Sequence, residues 1–383
     1  MIECKKPYLP PVIASAPSYL VVEGAINTGL DSTIIHLSNT IALSSPDGTT
    51  PPPVLNATVV IQSDANANYP LTSSGNGYYT TTGLNLSASN KYRLQITISD
   101  NKVYRSDFVA VKNAQAIDSL SYQVENNGVQ INVNTHDPSN DTRYYRWDYS
   151  ETWIIHAEYQ SLLMVVTSPV DTIVPRDAAH EIYRCWQSDR SSDIILASTS
   201  KLSSDVLGAV PITLVPSNSE KFTERYSILV KQYALTPDAY NYYLELRKNT
   251  EELGGIFDPQ PTTLTGNIHC ITNPAEQVIG YITAGVITQK RIFISSSTLP
   301  AFPQWQPITP YNDCQMYTYL YFNPVTKNND IPLYFYNGNK LNIPIAAVKQ
   351  PGKPIIGYTS SSGICVDCTL RGTNKQPGFW TDQ

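Results

Sequence analysis

Short runs of strict apolar–polar alternation recur along this chain and leave few folds open to it. Ala57, Val59 and Ile61 alternate with Thr58, Val60 and Gln62. Tyr92, Leu94, Ile96 and Ile98 alternate with Arg93, Gln95, Thr97 and Ser99, and Val129, Ile131 and Val133 with Gln130, Asn132 and Asn134. A period of two places one set of side chains on a core and the other toward water, which is the mark of a half-buried β-strand. Turn formers separate the runs: Asp47-Gly48, Gly75-Asn76-Gly77, Asp100-Asn101 and Asn126-Asn127-Gly128. These residues tolerate the left-handed backbone that tight hairpins need. Roughly seven short strands fall within residues 18–113, which predicts an immunoglobulin-like β-sandwich there.

Residues 114–298 read as a second, fibronectin-like sandwich with an insertion near 160–220. Its long central strand runs from Tyr144 through Trp147 and Asp148 to Trp153 and Ile155. One short helix is expected in a connection. Thr236 is its N-cap, Pro237 its first residue and Asp238 the acid of its first turn, with Gly254-Gly255 as the stop. Residues 299–383 form an aromatic, Cys-containing segment, expected to be loop-rich and packed on the second domain. Residues 1–17 carry Pro7, Pro10, Pro11 and Pro17, which make an extended, semi-rigid tether. The whole chain is therefore expected to be all-β, as tandem immunoglobulin/fibronectin-like sandwiches.

Composition narrows the function classes. Charged residues are 15% of the chain, against about 25% in an average soluble protein, and the net charge is −6. An apolar fraction of 41% is too high for a disordered chain. A pI near 5.4 without a basic stripe argues against nucleic acid as a partner. No apolar run approaches the ~18 residues of a membrane helix. Abundant Tyr (26) and Pro (28) with low charge suggest a protein that works outside the cytoplasm. Cys4, followed at once by the Pro-rich tether, looks like the lipid-bearing start of a mature bacterial lipoprotein whose leader is missing.

Few residues announce a chemistry. Six cysteines are present: Cys4, Cys185, Cys270, Cys314, Cys365 and Cys368. The favoured reading is a structural disulfide drawing on Cys314, Cys365 and Cys368; free thiols are a second reading, and a metal site made with His269 a third. No HxH, HExxH, GxSxG or P-loop spacing occurs, so neither a metal nor a cofactor is expected. Asp148, Glu151 and Asp258 are the candidate acids for hydrolysis, and Asp258 before Pro259 is more simply a turn residue. Trp147 and Trp153 lie six apart on one strand face, as sandwich core residues do. Trp305, Tyr319 and Tyr321 are candidate ligand contacts on the aromatic tail.

An ordered series of segments resembles a known family. It includes Tyr19-Leu20-Val21-Val22-Glu23-Gly24, Tyr144 to Trp153, Cys185-Trp186, Arg225-Tyr226-Ser227 and Gln232 to Thr236. Its densest part is Gly254 to Pro261, followed by Gly266-Asn267-Ile268, Val278 to Tyr281, Cys365-x-x-Cys368 and Phe379-Trp380. Together these resemble a Bacteroidetes family of unknown function, domain of unknown function forty-two forty-nine. The resemblance implies an outer-membrane lipoprotein, lipidated at Cys4 and a companion of TonB-dependent transporters. It assigns no catalytic residue. Ile2-Glu3 before Cys4 departs from the small residue expected there, and Lys5-Lys6 from an acidic surface-export run. The function expected is non-enzymatic: capture of a small nutrient beside a TonB-dependent barrel, at the cell surface. A glycan or peptide hydrolase and a structural envelope component are the alternatives.

Overall fold

The alternating runs become strands. A computed structural model describes residues 18–41, 45–46, 49–251, 264–301, 304–336 and 342–382, and it is mostly β. In the strand Thr58–Ser63, Val59 and Ile61 are buried while Val60 and Gln62 are half-buried; in Lys91–Thr97, Tyr92, Leu94 and Ile96 are buried. These side chains meet Leu20, Val22, Ile35 and Leu37 in the core of the first unit.

That unit is not built from residues 18–113 alone. Its 11-stranded sheet takes three strands from far downstream: Ile268–Cys270, Val278–Gly280 and Ala284–Gly285. Val278–Gly280 pairs in parallel with the strand Leu20–Asn27, matching Leu20 to Val278 and Val22 to Gly280. Ile268–Cys270 pairs antiparallel with Val103–Ser106. Ile268, Cys270, Val278 and Ile282 complete the first core. The boundary expected at 113 thus misses a return crossing. Without it, Leu20–Asn27 would expose one edge of backbone donors and acceptors.

The second unit packs a three-stranded sheet against a five-stranded one. The first has Val206–Pro216, Gly128–His136 and Ser119–Glu125 in that order; the second has Arg184–Arg190, Tyr144–His156, Arg225–Ala234 and Thr288–Ser295, with Ile195–Ser198 also on Tyr144–His156. Val129, Ile131 and Val133 face Tyr145, Trp147, Trp153, Tyr226 and Ile228 across a shared core. Both tryptophans of the long strand lie in this core. Three strands within the expected insertion of 160–220 are integral to the two sheets. Only the hairpin Leu163–Val166 and Thr172–Pro175 leaves them.

That hairpin joins the tail. Tyr317–Leu320, Ile355–Ser362 and Asn342–Lys349 form a three-stranded sheet, so the segment is less loop-like than its composition suggests. Ile331 and Phe335, on the short helix Ile331–Phe335, pack with Tyr358 against Leu163, Val165 and Ile173. Two disulfides secure the arrangement. Cys314–Cys365 closes the tail on itself, and Cys185–Cys368 bonds it to the central sheet. Among the described residues Cys270 is a buried free thiol, and no helix is long and apolar enough to cross a membrane.

Candidate functional site

The local sequence that starts the helix Pro237–Thr250 also places its aromatic side chains. The Thr236 hydroxyl accepts from the Ala239 N–H at 3.2 Å, and Pro237 needs no hydrogen-bond acceptor at the first position. The helix then buries Ala239, Tyr242 and Tyr243 against Tyr144, Tyr233 and Tyr281. Tyr281 follows directly on the returning strand Val278–Gly280, so the helix packs where the two β units meet.

A cleft of about 530 Å³ opens along this seam. Val21 to Gly24 of the first unit line one side, and Arg146 and Asp148 of the long central strand line another. The loop Ser191–Ile194 and the aromatic residues Tyr233, Tyr242, Tyr243 and Tyr281 complete it. The volume falls within the range of small-molecule sites, about 300–1,000 Å³.

Arg146 is the organising charge. Strand alternation turns Tyr145 and Trp147 into the core and leaves Arg146 and Asp148 on the cleft face. The guanidinium lies over the Tyr233 ring at 4.3 Å and over the Tyr243 ring at 4.6 Å. Register explains the first contact, because Arg146 pairs directly with Tyr233. Its Nη2 is 3.6 Å from Asp148 Oδ2. Burial works against the arginine's charge, but Tyr243, Tyr233 and Asp148 outweigh it and hold the group firmly protonated. Burial, then the Asp148 carboxylate, pushes the Tyr233 phenol well above its ordinary range.

The residues singled out from the sequence are dispersed. Glu151 is on the opposite face from Asp148, buried, and bonded to the Tyr226 hydroxyl and the Lys221 ammonium. Lys221 in turn lies over the Trp153 ring at 4.9 Å. Glu151 and Asp148 therefore do not share a cleft. Cys4 and Asp258 lie outside the described residues. Trp305, a candidate ligand contact, is only 4% exposed and packs on Phe222 at 6.1 Å in the second core. Tyr319 stacks on Tyr334 at 3.9 Å. Tyr321 is exposed, with its hydroxyl 3.3 Å from that of Tyr358. Neither lines the seam cleft. Cys365 and Cys368, three residues apart, enter different disulfides, and His269 lies on a strand of the first unit beside Asp107. Among the described residues, no group of three or more His, Cys, Asp or Glu side chains could hold a metal ion.

The cleft residues that sequence reasoning passed over are Arg146, Asp193, Tyr233 and Tyr243. Arg146 and Asp148 carried a local signal as the polar parity of a strand whose other parity is Tyr145, Trp147 and Tyr149. The others gain meaning only from the helix and loop that tertiary structure brings alongside. A search of curated proteins found none that matches the chain. A family model described as Domain of unknown function (DUF4249) matches residues 5–291. That span holds all the strands of the first unit, the returning segment and every residue lining the cleft, and stops short of the disulfide-bonded tail. With its seam inside the matched span, the chain belongs to the DUF4249 family.

Proposed function

We propose that this protein is a non-catalytic lipoprotein of the outer membrane, tethered through Cys4, that captures a small nutrient for a TonB-dependent transporter. The observation that carries the capture role is the aromatic cleft at the seam, with Arg146 lying against the rings of Tyr233 and Tyr243. A cleft between two units suits reversible capture, since ligands favour such junctions. Two disulfides support a compartment outside the reducing cytoplasm. Asp148 and Glu151 lie on opposite faces of one strand and so do not form a hydrolytic pair with each other. The transporter partnership itself rests on the sequence resemblance.

The test uses native outer membranes extracted in mild detergent from cells carrying a C-terminally tagged gene with its leader. A TonB-dependent barrel recovered in stoichiometric amount, and lost with Cys4→Ala, is the expected result. A protein that purifies alone from the membrane fraction overturns the transporter role.

A further inference from the structure

We infer that the seam cleft takes a small zwitterion, a free amino acid or short peptide whose carboxylate meets Arg146 and whose ammonium meets Asp193. This rests on the capture role proposed above and adds the chemical class of the cargo.

Arg146 is held but not saturated. The Tyr233 and Tyr243 rings both lie against its guanidinium, at 4.3 and 4.6 Å. Among the described residues its buried Nε has no hydrogen-bond partner. The Asp148 carboxylate, at 3.6 Å, is beyond good hydrogen-bond distance. With Nε covered and the side chain 18% exposed, the remaining N–H donors of the guanidinium are those a ligand carboxylate would meet.

Asp193 supplies the opposite sign. The Ser191 N–H donates to the Tyr149 carbonyl at 2.9 Å, and Ile195 pairs with Trp147. The loop between them therefore runs beside the stretch that carries Asp148. Asp193 is exposed, lines the same cleft, and has no hydrogen bond or ion pair among the described residues. A simple anion would meet Asp148, Asp193 and Glu23, the last already bonded to the His36 ring at 2.8 Å, and a simple cation would meet Arg146. A neutral sugar would leave Asp193 without a partner. A ligand bearing both signs meets each with its opposite, and Tyr281 and Ile279 offer apolar wall to its side chain.

The experiment is calorimetric titration of the oxidised full chain with the dipeptide Ala-Leu, its N-acetyl and C-amide derivatives, and maltose. Ala-Leu should bind, with each blocked form weaker by at least about tenfold. Asp193→Asn should weaken Ala-Leu to the level of the N-acetyl form and leave the N-acetyl form unchanged. Asp193 makes no contact that the fold needs, so this variant should melt as the parent does. Blocked peptides that bind as well as Ala-Leu, binding of maltose alone, or no peptide binding would each overturn the inference. Co-purification of a barrel without Ala-Leu binding sinks the ligand class alone. Ala-Leu binding without a barrel sinks the transporter role alone.

Discussion

Single side chains in this protein show how position decides what an acid does. Glu151 is spent on Lys221 and Tyr226 at the edge of the second core, while Asp148, three residues away, faces a cleft. Asp137 has a third role. Only 2% exposed, its carboxylate accepts from the N–H groups of Ser139, Asp141 and Thr142 and from the Ser139 hydroxyl, and so builds the turn before the long strand. Burial alone would push this carboxyl up, but the bonds from Ser139 and Thr142 bring it from 3.8 down to about 2. A depressed carboxyl stabilises the fold above its unfolded value and loses that contribution as pH falls through its folded value. Asp137 should therefore contribute about 2 kcal/mol at neutral pH, lost between roughly pH 4 and pH 2. Urea titrations across that range should show Asp137→Asn less stable at neutral pH and flatter in its acid response. A parallel acid response in the two proteins would refute this account.

At the scale of elements, the decisive feature is the parallel pairing of Val278–Gly280 with Leu20–Asn27. Gly280 has φ of +150°, and a Cβ there would come 2.4 Å from the Val22 carbonyl oxygen. Only a residue without a side chain lets the two backbones approach at this register. Gly280→Ala should cost at least about 2 kcal/mol through strain and lost pairing. Because Ile279, Gly280 and Tyr281 line the cleft, the same change should weaken ligand capture. Hydrogen exchange checks the cause. Amides of Leu20 to Val22 should exchange faster in the variant, and unchanged protection there would place the damage elsewhere. The helix Pro237–Thr250 is a contrast, since its start is set by Thr236 and Pro237 within one turn of chain.

Across the whole molecule, long-range covalent bonds hold what the β-cores do not. Cys185–Cys368 spans 183 residues and bonds the tail to the central sheet, while Cys314–Cys365 spans 51 within the tail's own surroundings. The tail's cores are small, with Ile331, Phe335 and Tyr358 buried in one and Ile345, Cys365 and Val366 in the other. Removing the longer bond by Cys185→Ser with Cys368→Ser should cost about 2–5 kcal/mol. The loss should fall on the tail. Limited proteolysis should cut residues after 299 first in the double variant and leave the two sandwich units intact. Equal resistance of tail and sandwiches would show that packing alone secures the tail.

What the sequence determined by itself was local. Period-two runs such as Tyr92 to Ile96 specified strands and their buried faces, because side chains in an extended chain alternate wherever the strand sits. Thr236-Pro237-Asp238 specified a helix start, because capping is settled within one turn. The parity of Trp147 and Trp153 placed both in a core for the same reason. Tertiary structure alone decided which strands became neighbours. Nothing in Val278-Ile279-Gly280 announces a partner more than 250 residues upstream, since a backbone ladder accepts any extended segment whose buried face matches. The cysteine pairing was hidden likewise, because connectivity follows spatial proximity and not spacing. Trp305, a candidate ligand contact by sequence, is buried because the second core folds around it, which residues far from it in the chain decide. The cleft belongs wholly to this second category. Arg146, Asp193 and Tyr243 come from a strand, a loop and a helix, and only the return of the chain to the first unit closes a site around them.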